Sequence, residues 1–212
     1  MKALCCILNY SKDKTQNINY LYKEFNKYCK VNIINYNDYN TYQYCKNIGN
    51  FYYINMFNES IKKFKEGHYS NLILINSNVK IGEDAIEYVS NLANTEMSFV
   101  GVLSLQADKD SKVEFNQYEN NLPRIRAVKN IDGFFQIINR DVVLLLKEIS
   151  LSKNDMCIYK YICEISRKIK KYNIIDSTFL INNHYQYYQN NKFYDNINIK
   201  NVYHKLKKCI TK

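Results

Sequence analysis

The amino-acid sequence predicts an α/β domain with a mostly parallel central sheet and helices on both of its faces. Short, uninterrupted apolar runs alternate with segments whose apolar residues recur at helical spacing, a pattern that indicates strands followed by helices. Four strands arranged in this way follow one another in the first half of the chain, and consecutive units of this kind form a parallel sheet. A length of 212 residues suits one domain with a substantial core, so we expect a single domain over residues 1–212.

The first half of the chain contains the clearer elements. Strands are predicted at residues 3–8, 31–34, 72–75 and 99–105. Helical spacing of apolar residues predicts helices over 17–30, around 54–64 and from residue 83 onwards. Glu83 and Asp84 place acidic charge at the start of the last helix, where the helix dipole favours it.

The second half is less regular. Residues 106–130 are polar and contain the only Pro of the chain, so we expect a long loop there. The other predicted elements are a strand at 134–138, helices at 141–149 and 155–168, and strands at 172–175 and 178–181.

The composition is typical of a soluble globular protein, and the N-terminus and the Cys pattern predict a cytoplasmic location. The net charge of +10 accompanies a general excess of Lys, Asn, Ile and Tyr along the chain, so we expect no nucleic-acid partner. No apolar run reaches the roughly 18 residues that a membrane span needs. No small-residue cleavage site follows residues 1–8, which predicts a first strand rather than a signal sequence. Seven Cys without zinc-ligand spacing are expected to be reduced core thiols.

Polar residues follow directly on three of the predicted strands. They are Asn9 and Tyr10, residues 35–38, and residues 76–78. Ligands of open α/β sheets bind beyond the carboxyl ends of the strands. These three segments are therefore the first candidates for a binding site.

Six segments, in order, carry a resemblance to a known family. They are Ile-Leu-Asn-Tyr at 7–10, Asn-Ile-Gly at 47–49 with Asn58 on the following helix, Asn-Ser-Asn at 76–78, Ile-Asp-Gly-Phe-Phe at 131–135 with Arg140, Asn-Asp at 154–155, and His184. Over essentially its full length the chain resembles the family 2 type of inverting glycosyltransferases with the GT-A fold, a nucleotide-diphospho-sugar transferase fold. Residues 76–78 fall where that family carries its D-x-D motif.

The resemblance implies a role for each segment. Residues 1–105 would form a nucleotide-sugar-binding half and residues 106–212 an acceptor-binding half. The donor, a UDP- or GDP-linked sugar, would be bound by Asn9, Tyr10, Asn35, Asn58 and Asn76. Asp132 and Gly133 would lie on the acceptor side, facing a glycan or a lipid-linked acceptor. Asp155 would be the catalytic base, and Asn78 with His184 would hold Mn²⁺ or Mg²⁺.

The metal site departs from the family pattern. Hard cations prefer charged oxygen ligands, but residues 35, 76 and 78 are all Asn. Three outcomes stay open: weak metal dependence, metal-free stabilisation of the leaving group by Lys or Arg, or a catalytically silent relative that acts in binding or assembly.

Four of the features named above have an alternative, purely structural interpretation or a second possible role. Asp155 could be only a dipole partner at a helix start, and His184 only a loop histidine. Asn58 interrupts an apolar stripe, so its amide binds either the donor or the protein backbone. Residues 201–212 form a basic amphipathic segment that could contact the inner face of a membrane or cover the core.

Overall fold

The computed structural model describes residues 1–9, 15–35, 48–107, 124–149 and 158–181. Within these ranges, seven strands belong to one sheet. They are β1 (Leu4–Asn9), β2 (Lys30–Asn35), β3 (Asn71–Asn76), β4 (Val100–Ala107), β5 (Ile125–Val128), β6 (Phe135–Asn139) and β7 (Tyr172–Ile181). The helices of these ranges are α1 (Thr15–Phe25), α2 (Ile48–Glu66), α3 (Glu83–Asn94), α4 (Arg140–Leu145) and α5 (Ile158–Lys168).

The sheet is mostly parallel, as the sequence predicts. Its strand order is β2-β1-β3-β6-β4-β7-β5. β1 runs parallel to both β2 and β3, and β4 runs parallel to β7. β6 lies antiparallel between β3 and β4, and β5 lies antiparallel to β7 at the edge. Five of these seven strands therefore share one direction, and their carboxyl ends form one edge of the sheet.

Helices cover both faces of the sheet. Successive residues of a strand point to opposite faces. Cys5 and Ile7 of β1 accordingly pack in one cluster with α1 and α3. Cys6 and Leu8 pack in a second cluster with α2, α4 and α5. The uninterrupted apolar runs of the sequence are thus strands that are buried on both sides.

Two predicted features of the second half are wrong in detail. The long loop at 106–130 contains β5, whose Ile125 is buried while its neighbours are more exposed. The strands predicted at 172–175 and 178–181 are one strand, β7, with an irregular register against β4 between the pairs Leu105–Asp176 and Gln106–Leu180.

A buried acid accounts for that continuity. The Asp176 carboxylate accepts hydrogen bonds from the Tyr88 hydroxyl (2.5 Å), the Thr178 N–H (2.8 Å) and the Thr178 hydroxyl (2.5 Å). The Arg124 Nε lies 4.0 Å from the same carboxylate. Because these groups replace water around the charge, Asp176 is accommodated inside one strand where the sequence predicts a break between two.

Two helices are shorter than predicted. α1 ends at Phe25 rather than residue 30, and residues 26–29 turn directly into β2. α4 ends at Leu145, because Leu146 adopts an extended conformation. Within the described ranges, no helix combines the length and apolar character that crossing a bilayer requires.

Candidate functional site

Two asparagines meet at the carboxyl ends of neighbouring strands. Asn9 ends β1, Asn35 ends β2, and the two residues are paired in the register of the parallel strands. The Asn9 side-chain amide donates a hydrogen bond to the Asn35 side-chain oxygen at 2.8 Å. Both residues are only partly buried. The structure therefore brings together two of the predicted donor-binding residues.

The third strand end carries a tight turn. The Asn76 side-chain oxygen accepts the N–H of Asn78 at 3.1 Å, and the Asn76 carbonyl accepts the N–H of Val79 at 2.9 Å. Side-chain oxygens of Asn often stabilise turns in this way. The Ser77 N–H donates to the Leu8 carbonyl at 2.9 Å, which ties the turn to β1 beside Asn9. We refer to residues 76–78 as the amide turn.

Helix α1 holds the amide turn in place. The Asn17 side-chain amide donates to the Ser77 carbonyl at 2.6 Å and to the Val79 carbonyl at 3.1 Å. The Tyr20 hydroxyl donates to the Ile81 carbonyl at 3.0 Å. Sequence reasoning missed Asn17. Asn17 could have been identified from its position four residues before the buried Leu21, which places both residues on the same side of α1.

The predicted acceptor-side segment lies at the same edge. The Asn76 N–H donates to the Phe134 carbonyl at 2.8 Å, so Asp132 and Gly133 precede a residue bonded directly to the amide turn. Asp132 is 4% exposed. The segment is also anchored by Gln136, a fully buried residue missed in the sequence, whose side-chain amide donates to the Ile131 carbonyl at 3.3 Å. Gln136 was missed because it lies between apolar residues of a predicted strand.

Asn58 has a different environment. Its side-chain amide donates to the Ile149 carbonyl at 2.9 Å, and its side-chain oxygen accepts the Ile149 N–H at 2.9 Å. These two bonds account for an amide within the apolar stripe of α2 and join α2 to the segment after α4. Its donor-binding role stays a prediction.

Three candidate residues lie outside the described residues: Tyr10, Asp155 and His184. α5 packs on β4 and β7 and ends at Lys168, shortly before β7 begins at the amino end of the sheet. Its first described residue, Ile158, therefore lies toward the carboxyl edge.

The described residues at this edge do not fit a resident Mg²⁺ or Mn²⁺. The three strand ends offer neutral amide oxygens, and those of Asn35 and Asn76 already accept hydrogen bonds. Across the ranges that the structure describes, no three or more His, Cys, Asp and Glu side chains are grouped to hold a metal ion.

A cavity of about 470 Å³ lies at the opposite, amino edge of the sheet, beside Asn71, Asn94 and Asn139. Its asparagines are used within the protein. Asn71 donates to the Ala93 and Thr95 carbonyls, Asn94 accepts the Ala3 N–H, and Asn139 donates to the Met97 carbonyl. These asparagines therefore hold neighbouring main-chain segments together, and the carboxyl edge is the better candidate for a binding site.

The α/β fold of this chain is similar to the folds of two solved structures. One similar solved structure is a glycosyltransferase involved in the glycosylation of the major capsid of PBCV-1, with a TM-score of 0.50, 7% sequence identity and coverage of 82% of each chain. Another is A197 from STIV, with a TM-score of 0.50, 14% identity and coverage of 84% of this chain and 82% of that one. The chain matches no protein-family model and no curated protein sequence. These similarities concern the fold alone.

Proposed function

We propose that this protein is a glycosyltransferase that binds a UDP- or GDP-linked sugar at the carboxyl edge of its sheet. The observation that carries the proposal is the convergence of the Asn9–Asn35 pair and the amide turn at that edge, within a glycosyltransferase-like fold. Side-chain amides can donate hydrogen bonds to a nucleotide base or a ribose and can accept hydrogen bonds from them. Carboxyl ends of parallel strands are also where ligands of such sheets bind.

The proposed reaction is transfer with inversion to a glycan or a lipid-linked acceptor, as in family 2 enzymes. Asp155 removes the proton of the acceptor hydroxyl as the hydroxyl oxygen attacks the anomeric carbon. The bond between that carbon and the diphosphate oxygen breaks, and the nucleoside diphosphate leaves. Two features support this arrangement: the start of α5 lies toward the carboxyl edge, and the segment containing Asp132 and Gly133 is bonded to the amide turn.

A thermal-shift screen of the full chain with nucleotide sugars tests the binding step, because a ligand that binds only the folded state raises the unfolding temperature. We expect stabilisation by a UDP- or GDP-linked sugar. Asp155→Asn should retain this shift and lose transfer by about 100-fold or more, since a general base typically contributes that much. If no nucleotide sugar stabilises the protein, the proposal is wrong.

A second candidate function is favoured by the amides of the turn. A turn in which Asn76 and Asn78 replace the carboxylates of the D-x-D motif could belong to a catalytically silent protein that acts in binding or assembly. Under this alternative the wild type binds a nucleotide sugar without consuming it, and Asn78→Asp produces Mn²⁺-dependent turnover. Turnover by the wild type would exclude the alternative.

A further inference from the structure

The amide turn presents a chemistry that differs from a metal-holding turn. In Asn76-Ser77-Asn78 neither asparagine carries a charge, and the Ser77 side chain is fully buried. The Asn76 side-chain oxygen accepts the Asn78 N–H, so it serves to shape the turn. A resident divalent cation would gain only the weak attraction of neutral oxygens here.

The neighbouring strand end has the same character. The Asn35 side-chain oxygen is oriented by its hydrogen bond from Asn9. Each of these amide oxygens has a second lone pair, but neither supplies negative charge. The side chains of these two strand ends thus attract a dication poorly and impose little repulsion on a bound dianion.

A basic residue follows the amide turn directly. Lys80 lies between Val79 and Ile81, which are buried in the cluster against α1 and α3. In an extended segment successive side chains point to opposite sides. The half-buried Lys80 side chain therefore projects from the other side of this segment, away from that cluster.

We propose that this edge binds the diphosphate of its nucleotide without a divalent cation, and that Lys80 supplies positive charge instead. The inference rests on the proposed function, since it concerns how the donor is held. A Lys ammonium is an effective point charge for phosphate, and it is the contact on which this proposal depends, because the N–H groups of residues 76–78 already donate within the protein. The Lys80 ammonium would offset part of the negative charge of the leaving diphosphate.

Calorimetric titration of the full chain with UDP and with GDP, in EDTA and in Mn²⁺, tests this directly. We expect dissociation constants in the two buffers that agree within about threefold. The loss of the free Mn²⁺ paramagnetic resonance signal measures metal binding independently, and the wild type alone should leave that signal unchanged. The double substitution Asn76→Asp, Asn78→Asp should weaken binding in EDTA and make it Mn²⁺-dependent.

A second set of variants tests Lys80. Lys80→Gln should weaken UDP or GDP binding by about tenfold, because one charge-assisted contact is lost, whereas Lys80→Arg should retain most of it. Lys62→Gln, at an exposed position of α2, is the matched control and should bind as the wild type does.

The outcomes separate this inference from the proposed function. Binding that is tenfold or more tighter in Mn²⁺ than in EDTA overturns the metal-free inference and leaves the glycosyltransferase proposal standing. Equal binding by Lys80→Gln and the wild type overturns the role of Lys80. Absence of binding in both buffers overturns the proposed function, and the inference with it.

Discussion

The amide side chains at the carboxyl edge of the sheet differ in whether the sequence predicts them. Asn9, Asn35 and Asn76 stand at strand ends and were predictable, because each directly follows the last apolar residue of a predicted strand. Asn17 and Gln136 were not predictable as parts of the same edge. Asn17 bonds a backbone carbonyl 60 residues away, which only the folded chain brings near. Gln136 bonds the Ile131 carbonyl across the turn before β6, and its own sequence neighbours are apolar.

Asn58 offers a residue-scale test. Asn58→Ala removes two hydrogen bonds to Ile149 and leaves that buried main chain without its partner, so we expect the free energy of unfolding to fall by about 1–3 kcal/mol. Urea unfolding measures this. Asn55→Ala, one turn earlier on α2, is the matched control. An unchanged stability together with weakened UDP or GDP binding would instead assign Asn58 to the donor site.

Buried thiols make the stability of the protein depend on pH. Burial raises the pKa of the Cys6 thiol from its ordinary value of 9.0 to about 12. Between these values the unfolded chain loses a proton that the folded protein keeps, so stability is full below pH 9 and falls as the pH rises.

We therefore expect wild-type stability to fall, from about pH 8 to about pH 10, by about 1.4 kcal/mol more than that of Cys6→Ala. Cys5 and Cys29, whose thiol pKa values are also raised by burial, are present in both proteins, so most of their own contribution cancels in the comparison. Urea unfolding at the two pH values is the measurement. Parallel losses in both proteins would contradict a protonated Cys6 in the folded state.

At the scale of elements, pairing between distant segments explains what the sequence did not reveal. β5 has four residues, and only Ile125 is buried, so its sequence carries little strand pattern. Its strand conformation comes from antiparallel pairing with β7, about 50 residues later. The longer buried runs of β1, β3 and β4 needed no such partner to be recognised.

Packing of α5 on the sheet depends on a glycine. An added Cβ at Gly101 of β4 would lie 1.9 Å from the Ser166 hydroxyl oxygen and 2.7 Å from the Ser166 Cβ. Gly101→Ala should therefore displace α5 and destabilise the protein by about 1–3 kcal/mol. In a thermal or urea unfolding series, Ser166→Gly should offset part of this loss when combined with Gly101→Ala. Strictly additive effects would contradict the close contact.

For the whole molecule, the sequence indicated the α/β class but not the strand order. β6 is inserted antiparallel between β3 and β4, although the chain forms β4 and β5 before it. Strand order depends on long-range pairing, which apolar spacing along the chain does not encode. The proposed halves at 1–105 and 106–212 stay a prediction, and strands from both contribute to the one sheet.

The peripheral membrane contact of residues 201–212 and a cytoplasmic location also stay predictions. The segment lies outside the described residues. Co-sedimentation of the full chain with anionic vesicles, compared with a chain that ends at residue 200, would measure the contact. We expect the full chain to bind more strongly, and more weakly as salt is added. Equal binding by both chains would exclude a role for the segment.

The most direct test of the central claim is calorimetric titration of UDP and GDP against the wild type, Asn9→Ala, Asn35→Ala and the control Asn91→Ala of α3. If the nucleotide binds at the carboxyl edge, the wild type and Asn91→Ala will bind alike. Each of the other variants will lose about 1.4 kcal/mol, or tenfold in affinity. Undetectable binding by the wild type, or equal affinity in all four proteins, would contradict the claim.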